Sequence, residues 1–423
     1  MALIRPFRGV RYNPAVMSNL QEIVSPPYDV ISPEQQTLLH LRSPYNAVHL
    51  DLNWDPERYE TAARRFRDWL ERKVLVQDEE PALYFYTQEF TLKDGSRHKR
   101  AGVLVALRLE EFSSGMIRPH ERTFENAKND RLALLRSCRA HLSPVFCLYS
   151  GPGWALEQTL APALASSPLM TVQDDQQTMH SVWCVTDRAL IAEVAARLAR
   201  EPLIIADGHH RYETALQYRI ECVAAQGSTS GEEPFNYVLA YLTNAQEEGL
   251  VILPTHRLLC EGPLPSPQHL RTVLQRDFRM TLFPLTDPTA FFTALRAPGP
   301  ERRIGCAFAG ASHYWLLSFD QRVTQNLPVS APLRALDVTV LHDVIFQKFL
   351  GMPPEVQKQK LSYTVNDEEA LRLVSERLCQ AAFFLTPTTF AQIAEVCAHG
   401  ETMPQKSTYF FPKLLTGLVF YRL

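Results

Sequence analysis

A cluster of three bases stands where a helix is expected to begin. The segment at 203–219 reads LIIADGHHRYETALQYR. Its apolar start predicts a buried strand, and its later residues predict an amphipathic helix. The first turn of that helix would hold His209, His210 and Arg211, although helix N-termini carry partial positive charge and each exposed base there costs roughly 0.3–1 kcal/mol. We therefore expect a negatively charged ligand to bind at this helix end.

The two residues before the bases suit such a ligand. Asp207 can act as the N-cap, and Gly208 permits the close backbone approach that an anion needs. Backbone N–H groups and the guanidinium of Arg211 would then hold a phosphate or a carboxylate. The structural alternative is a capped helix whose histidines stack on neighbouring side chains. A metal pair of adjacent histidines is disfavoured, because consecutive helical side chains point roughly 100° apart.

A second group of titratable residues lies in RPHERT (118–123), between a strand-like run and a helix. It contains His120 and Glu121, with an arginine on each side. A carboxylate beside a histidine can serve as a general base or as a magnesium ligand. A solvated charged loop explains the same residues, and the segment alone does not decide between these interpretations.

Three further segments are weaker candidates. MPQKSTYFFPK (403–413) places Lys406, Ser407 and Thr408 between two prolines. Its composition resembles that of a phosphate-contacting loop, but it lacks the glycines of a P-loop, and a polar turn before a last strand is the alternative. SPPYDV (25–30) is a rigid double-proline turn, and LPTHR (253–257) follows a strand. Segments of these two kinds are more often structural than catalytic.

The composition of the chain disfavours several classes of protein. With 423 residues, 46% hydrophobic and 21% charged, it is expected to fold into two or three domains. A formal net charge of −3 argues against a general nucleic-acid binder. The sequence shows neither a signal peptide nor an apolar run long enough to cross a membrane, so we expect a cytoplasmic protein. The eight cysteines lack CxxC spacing, and we expect reduced, mostly buried thiols rather than disulfides or a zinc site.

The elements that must position these residues alternate between strands and helices, which predicts a mixed α/β or α+β fold. We expect a helix from about Pro33, a strand at NAVHLDL (46–52) and an amphipathic helix at 56–72. Two β-rich runs flank Asp94-Gly95 and predict a β-hairpin. Residues 151–200 predict a helix, two strands and a second helix.

The same pattern suggests three segments. We expect an N-terminal α/β segment at 1–80 packed on a core at 81–261, with an insertion at 151–200 in that core. A C-terminal α/β domain is expected at 268–423. The segment GPLPSP (262–267) is the strongest candidate for a domain boundary, because it is rich in proline and glycine.

Eight ordered motifs resemble the bacterial and archaeal family named domain of unknown function 1015. They are, in order, RPFRGVRYNP, SPPYDVIS, SPYNAVHLDL, PHERT, IADGHHRYETA, ILPTHR, LDVTVLH and MPQKSTYFFPK. The resemblance runs from about Ile4 to Gly417. The family has no settled activity, so it implies a relationship without a function.

A more distant resemblance concerns the order of PHE, a helix, SPVF, a strand and DGHHR. This order is similar to the ParB/sulfiredoxin superfamily, which includes ParB nucleotide switches, sulfiredoxin and free-serine kinases. The resemblance implies a ParB/sulfiredoxin-like nucleotide-binding core that holds the phosphates of ATP or ADP at Gly208, His209, His210 and Arg211. It also implies that Glu121 is the base for a substrate hydroxyl, with Mg²⁺ as a second cofactor. The chain departs from the superfamily in the insertion at 151–200, and it has no counterpart of the reactive cysteine of sulfiredoxin.

Three functions are compatible with these residues. The first is a nucleotide-dependent phosphotransferase that acts on a small hydroxyl metabolite, with free serine as the leading substrate by superfamily analogy alone. The second is a phosphoester hydrolase or phosphatase that uses the same anion site with water as nucleophile. The third is a non-enzymatic ParB-like nucleotide-binding module, which the absence of a helix-turn-helix after the motif disfavours. The expected partners are a nucleotide and a small-molecule substrate, with no membrane and no nucleic acid.

Overall fold

The computed structural model describes residues 2–123, 125–151, 154–227, 229–262 and 264–423. Contacts within the chain divide it into two compact units. Unit 1 comprises Met1–Pro119, Thr123–Val251 and Pro412–Leu423, and unit 2 comprises His120–Arg122 and Ile252–Phe411.

The described residues contain interspersed strands and helices. The strands are β1 Ile4–Arg5, β2 Val10–Tyr12, β3 Leu75–Gln77, β4 Leu83–Thr91, β5 Arg97–Arg108, β6 Ile117–Pro119, β7 Ala140–His141, β8 Val145–Tyr149, β9 Met170–Gln173, β10 Met179–Val185, β11 Leu203–Asp207, β12 Tyr237–Asn244, β13 Val251–Leu253, β14 His256–Leu259, β15 Arg279–Pro284, β16 Arg302–Phe308, β17 His313–Phe319, β18 Leu361–Thr364, β19 Ala381–Phe384, β20 Tyr409–Phe411 and β21 Tyr421–Arg422. The helices are α1 Pro33–Arg42, α2 Val48–Asp51, α3 Arg58–Glu71, α4 Glu125–Cys138, α5 Leu156–Leu164, α6 Arg188–Leu198, α7 His209–Gln226, α8 Pro267–Leu274, α9 Pro288–Arg296, α10 Ala331–Arg334, α11 Asp337–Thr339, α12 Pro354–Lys360, α13 Asp367–Ser375 and α14 Phe390–Ala398. A π-helical segment, Val340–Phe349, continues α11.

A nine-stranded mixed sheet forms the centre of unit 1. Its strand order is β6-β11-β8-β12-β5-β4-β10-β9, with β1 paired to β5. The β6–β11 and β8–β12 pairs are parallel, and the other pairs are antiparallel. All eight residues of β12 are buried, as expected for a strand covered on both faces. This sheet fixes the position of β11 and therefore of the turn that leads into α7.

The β4–β5 hairpin confirms the turn predicted at Asp94-Gly95. Gly95 has a φ of +84°, a conformation that glycine adopts without steric cost. The resulting register places Gln88 opposite Arg100. This polar pair lies in the buried part of unit 1, where both residues are fully buried.

Unit 2 contains a six-stranded antiparallel sheet with the order β15-β17-β16-β19-β14-β18. Apolar side chains of α9 and α13 pack on one face of this sheet, with Phe291, Ala370 and Phe384 fully buried in the shared core. These two helices therefore cover one face of the sheet whose strands carry buried polar residues of unit 2.

The mixed α/β class is confirmed, and most predicted elements are present. α1 begins at Pro33, and α3 occupies most of 56–72. Residues 151–200 contain α5, β9, β10 and α6, as predicted. The strand predicted at NAVHLDL is wrong, because Val48–Asp51 is a short helix. The side chain of Asn46 accepts a hydrogen bond from the Val48 N–H at 3.0 Å, and such side-chain bonds favour turns over extended strands.

The prediction that the cysteines are reduced thiols is wrong for one pair. Cys260 and Cys379 form a disulfide although 119 positions separate them. Cys260 follows β14 and Cys379 precedes β19, and these neighbouring antiparallel strands bring the two sulfur atoms together. Sequence spacing shows no such contact. The other six cysteines are free thiols.

One of the crossings from unit 1 to unit 2 falls between Val251 and Ile252, and β14 belongs to the unit 2 sheet. The segments predicted at 1–80, 81–261 and 268–423, and the likeness of the core to ParB/sulfiredoxin proteins, stay predictions. In the described part of the chain, no helix combines the length and the apolar character that a membrane crossing requires.

Candidate functional site

The start of α7 has the strand–turn–helix geometry that the sequence predicts. β11 ends at Asp207, Gly208 is the N-cap with a φ of +86°, and α7 begins at His209. The prediction that Asp207 is the N-cap is therefore wrong by one residue, because the left-handed φ at this position favours glycine. The Asp207 carboxylate instead accepts the Gly208 N–H through Oδ1 at 3.0 Å. Glycine at the N-cap has no side chain with which to satisfy the first N–H groups of the helix.

Two cations converge on the second oxygen of the Asp207 carboxylate. Lys413 Nζ lies 3.3 Å from Oδ2, and Arg211 Nη2 lies 3.8 Å from the same atom. All three side chains are largely buried. The carboxylate offsets part of the cost of placing Arg211 in the first helical turn. Two positive charges facing one negative charge nevertheless leave this group of three with a net charge of +1.

One nitrogen of the Arg211 guanidinium is hydrogen-bonded, and another has no partner among the described residues. Its Nη1 donates to the carbonyl oxygen of Pro144. Its Nε is buried and has no hydrogen-bond partner among the described residues. Buried polar atoms are nearly always hydrogen-bonded in folded proteins, so an unpartnered guanidinium N–H calls for a ligand or a water. The donor lies beside Gly208, where a Cβ in place of a glycine hydrogen would meet three guanidinium atoms of Arg211 at 3.0 Å.

A third cation, Arg100, interacts electrostatically with Asp207 and was not predicted from the sequence. Arg100 is fully buried and hydrogen-bonds to the Gln88 side chain and to the Pro412 carbonyl, with its guanidinium 4.8 Å from the Phe146 ring centre. Burial lowers the pKa of Arg100, while the charge of Asp207 acts in the opposite direction. The signal was available in principle, because the predicted hairpin places Gln88 opposite Arg100.

The two histidines of the motif differ in exposure. His209 is 7% exposed, whereas His210 is half-buried. Tyr212, the fourth residue of α7, fixes the position of the helix. Its hydroxyl donates to the Glu110 carbonyl at 2.8 Å and accepts the Glu110 N–H at 2.9 Å. Among the described residues, no three His, Cys, Asp or Glu side chains come together as a metal site would require.

The SPPYDV and NAVHLDL motifs meet in a buried polar network of unit 1. The Arg131 guanidinium lies 4.0 Å above the Tyr28 ring and donates to Asp51 Oδ1 at 3.0 Å. Ser143 donates to the other oxygen of Asp51 at 3.1 Å. Burial raises the pKa of Tyr28. Arg131, Ser143 and Arg211 line one small cavity, which connects this network to the start of α7.

His120 and Glu121 lie in unit 2, where they anchor the 403–408 loop. The Glu121 carboxylate accepts the Lys406 N–H at 3.1 Å and the Thr408 N–H at 3.0 Å. The Thr408 hydroxyl lies 3.1 Å from Glu121 Oε1 and 2.7 Å from His120 Nε2. Ser407 Oγ donates to the Pro404 carbonyl. The carboxylate is therefore held in a fixed orientation, and several polar groups of the loop have partners within unit 2.

The predicted site residues thus form two groups. Asp207, Gly208, His209, His210 and Arg211 gather in unit 1, where Lys413 joins them. The second group, in unit 2, consists of His120, Glu121, Lys406, Ser407 and Thr408. The LPTHR motif also lies in unit 2, where His256 and Arg257 are fully buried.

Gly208→Ala is expected to lower the free energy of unfolding by about 1–2 kcal/mol, because an L-residue at positive φ is strained and its Cβ would crowd the Arg211 guanidinium. Gly227→Ala is the matched control, since Gly227 ends the same helix at a φ of +74° and a Cβ there meets nothing within 4 Å. Urea unfolding measures both. Equal losses in the two variants would show that crowding against Arg211 contributes nothing.

Two buried histidines predict a loss of stability at acidic pH. Burial lowers the pKa of His141 to about 4 and that of His342 to about 3. Below about pH 6.5 the unfolded chain protonates these residues while the folded chain does not, so stability falls as the pH is lowered towards 4. The slope is about 1.4 kcal/mol per pH unit for each histidine. Urea unfolding at several pH values should show it, and His342→Gln should have a shallower slope. A wild-type stability that is flat from pH 6.5 to 4.5 would contradict this prediction.

Comparisons with known proteins give a family and distant structural likenesses. The sequence profile of a protein family of unknown function, DUF1015, matches residues 4–339. No curated protein matches the chain. A conserved hypothetical protein from Pyrococcus furiosus is 12% identical, with 74% of this chain and 92% of that chain covered and a TM-score of 0.35. A free serine kinase in complex with AMP is also 12% identical, with 73% and 86% covered and a TM-score of 0.35. Likenesses at this level support no conclusion about activity.

Proposed function

The chain belongs to the DUF1015 family of proteins of unknown function, and from this premise we propose that it is a nucleotide-dependent phosphotransferase acting on a small hydroxyl-bearing metabolite. The family assigns no activity, so the proposal depends on the side chains themselves. The observation that carries it is the start of α7, where the buried Nε of Arg211 has no partner among the described residues and lies beside a helix N-terminus whose N-cap is glycine.

The start of α7 has the features of a phosphate site. The helix dipole supplies partial positive charge, and Gly208 leaves room for close approach to the backbone. Arg211 and Lys413 place two positively charged side chains near the helix start, with the Asp207 carboxylate within 4 Å of both. A guanidinium with an N–H available makes a charge-assisted hydrogen bond to a phosphate oxygen, which is stronger than a bond between neutral groups. ATP and ADP, the ligands that the superfamily resemblance implies, fit this donor set.

The residues of unit 1 would bind and orient the nucleotide. Arg211 is fixed by the Pro144 carbonyl, and Tyr212 fixes the next residue of the helix, so the donors need little ordering when the ligand binds. A bound nucleotide would supply the phosphoryl group. Phosphoryl transfer depends mainly on positioning and on stabilisation of negative charge, which are the two things that this group of residues can provide.

We assign the acceptor base to Glu121, with His120 as its neighbour in unit 2. His120 Nε2 lies 3.4 Å from Glu121 Oε1, and the carboxylate orientation is fixed by the loop N–H groups. The same N–H donors beside both carboxylate oxygens repel a magnesium ion, whereas a neutral substrate hydroxyl, which donates its own hydrogen, is compatible with them. We therefore assign Mg²⁺ no role in the proposed reaction. The roles of Glu121 and of the α7 start are separate assignments and are tested separately.

A nucleotide panel tests the proposal. Thermal unfolding of the full chain is measured with ATP, ADP, AMP and GTP, each with and without Mg²⁺, because a ligand that binds the folded state raises the melting temperature. Nucleotides with at least two phosphates are expected to raise it. Nucleotide turnover is then followed with small hydroxyl metabolites, starting with free serine, the substrate that the superfamily resemblance implies. Turnover that is the same with and without any acceptor would indicate a hydrolase instead.

A charge-matched control separates specific binding from general attraction to cations. Arg136 is an exposed arginine of unit 1 that pairs with Glu221, away from the start of α7. Arg136→Ala should retain the nucleotide-induced rise in melting temperature. If none of the nucleotides stabilises the wild-type chain at millimolar concentration, the proposed function is wrong.

A further inference from the structure

A polar cavity in unit 2 lies outside the residues that the proposed function uses for phosphate binding. Its volume is about 160 Å³, room for about five water molecules or one small metabolite. Five of its twelve lining residues carry hydroxyls and four are apolar, and the polar side chains include Thr255, Arg257, Asp337, Thr386, Thr388 and Ser407. A cavity of this composition suits a polar ligand rather than an apolar one.

The arginine of the cavity is buried among neutral hydrogen-bond acceptors. Arg257 has 0% of its surface accessible to solvent. Its Nε donates to His342 Nε2 at 3.2 Å, and its Nη atoms donate to the carbonyls of Thr255, Gln405 and Lys406. A guanidinium has five N–H donors, and these four acceptors leave one. None of these partners among the described residues is an acid.

A buried charge of this kind is costly unless an opposite charge approaches it. Burial lowers the pKa of Arg257 to about 10, and the neighbouring His342 stays neutral because burial also lowers its pKa. The charge of Glu121 acts to raise the pKa of Arg257, but the hydrogen bonds of Arg257 go to neutral groups. Asp337 lines the cavity, but its carboxylate already accepts from Arg302 at 2.8 Å and from Thr386 at 2.9 Å. An anion in the cavity would therefore offset a buried charge whose hydrogen-bond partners in the described chain are all neutral.

A second, independent feature indicates a ligand. Thr255 is 5% exposed, and its Oγ1 is buried without a hydrogen-bond partner among the described residues. This hydroxyl belongs to a residue that lines the cavity next to Arg257. Such an unpartnered group is rare in a folded protein, and a ligand oxygen would supply the missing bond.

We propose that this cavity binds the oxyanion group of a small polar molecule, a carboxylate or a phosphate, between Arg257 and Thr255. The site belongs to unit 2 alone and is separate from the nucleotide phosphate site proposed at the start of α7. A carboxylate and a phosphate each present two or three oxygens that share a negative charge, so the protein would recognise both by the same hydrogen bonds.

The location of the anion is tested first. Crystals of the full chain are soaked with selenate, a phosphate-like ion with an anomalous signal, and in parallel with malonate as the carboxylate. Either ion within hydrogen-bond distance of Arg257 or Thr255 is the expected result. An anion seen only at the start of α7 would overturn this inference while leaving the proposed function intact. Crystals in which the cavity holds only water under both conditions would also overturn it.

Paired variants test the same site in solution. Thr255→Val removes the unpartnered hydroxyl at nearly constant shape, so the ligand-free protein should be as stable as wild type or more so. Its affinity for phosphate or malonate at this site, from calorimetry in the Arg211→Ala background, should fall by about three- to tenfold. Thr339→Val is the matched control, because Thr339 Oγ1 is equally buried and unpartnered among the described residues but does not line the cavity. Equal affinities in the two variants would overturn the inference.

Discussion

Glu121→Gln is expected to lower the turnover number by about 10²–10⁴-fold, the usual contribution of a general base. The substitution removes the basic oxygen while it retains the size of the side chain. Nucleotide affinity should change little, because the phosphates are assigned to the start of α7 and Glu121 is assigned to the acceptor hydroxyl. Steady-state turnover and calorimetry with ADP, measured on the same preparation, give the two quantities separately.

The hydrogen bonds of Glu121 add a consequence for stability that the sequence does not indicate. The Glu121 oxygens accept the N–H groups of Lys406 and Thr408, and in glutamine one of these oxygens becomes an amide that cannot accept. The variant should therefore also lose about 1–3 kcal/mol of stability. Gln405→Ala is the loop control, since it removes a different contact of the same loop, from Gln405 to the Arg122 carbonyl. If this control loses as much turnover as Glu121→Gln, the effect comes from the loop and Glu121 is not the base.

Arg211→Ala is expected to weaken nucleotide binding by about 1.5–3 kcal/mol, which is roughly a 10- to 150-fold rise in Kd. The reason is the loss of a charge-assisted hydrogen bond from a guanidinium that the Pro144 carbonyl already orients. Calorimetry with ADP measures the change. The fold should persist, because the variant removes one hydrogen bond and one distant ion pair from unit 1.

Two further variants test whether the effect of Arg211→Ala on nucleotide binding is specific to this site. Arg136→Ala removes an exposed arginine from the same unit and should leave the Kd unchanged. Lys413→Met removes the second cation near Asp207 and should raise the Kd by a smaller factor, since Lys413 lies within ion-pair distance of that carboxylate. An unchanged Kd in Arg211→Ala would remove Arg211 from the site.

The start of α7 could be predicted from the sequence because its signals are local. An apolar run, an Asp-Gly pair and a helical period follow one another within 17 residues, and the structure reproduces that order. The same is true of the β4–β5 hairpin, whose tight turn fixes the register. Local steric and hydrogen-bond preferences decide such elements, so no distant part of the chain is needed to recognise them.

Contacts between distant segments could not be predicted. Lys413 reaches Asp207 across 206 positions, and Glu121 meets Thr408 across 287. Cys260 and Cys379 likewise pair only because two strands of one sheet are neighbours. Strand order in a sheet depends on the packing of the whole unit, which residue spacing does not encode. The burial of Arg257 could not be predicted either, because its motif is typical of an ordinary turn after a strand.

The position of a bound nucleotide tests the central claim most directly. A crystal structure of the full chain with ADP is expected to show a phosphate oxygen within hydrogen-bond distance of Arg211 or of the backbone N–H groups in the first turn of α7. ADP bound with its phosphates elsewhere, and with the first turn of α7 in contact only with water, would contradict the account.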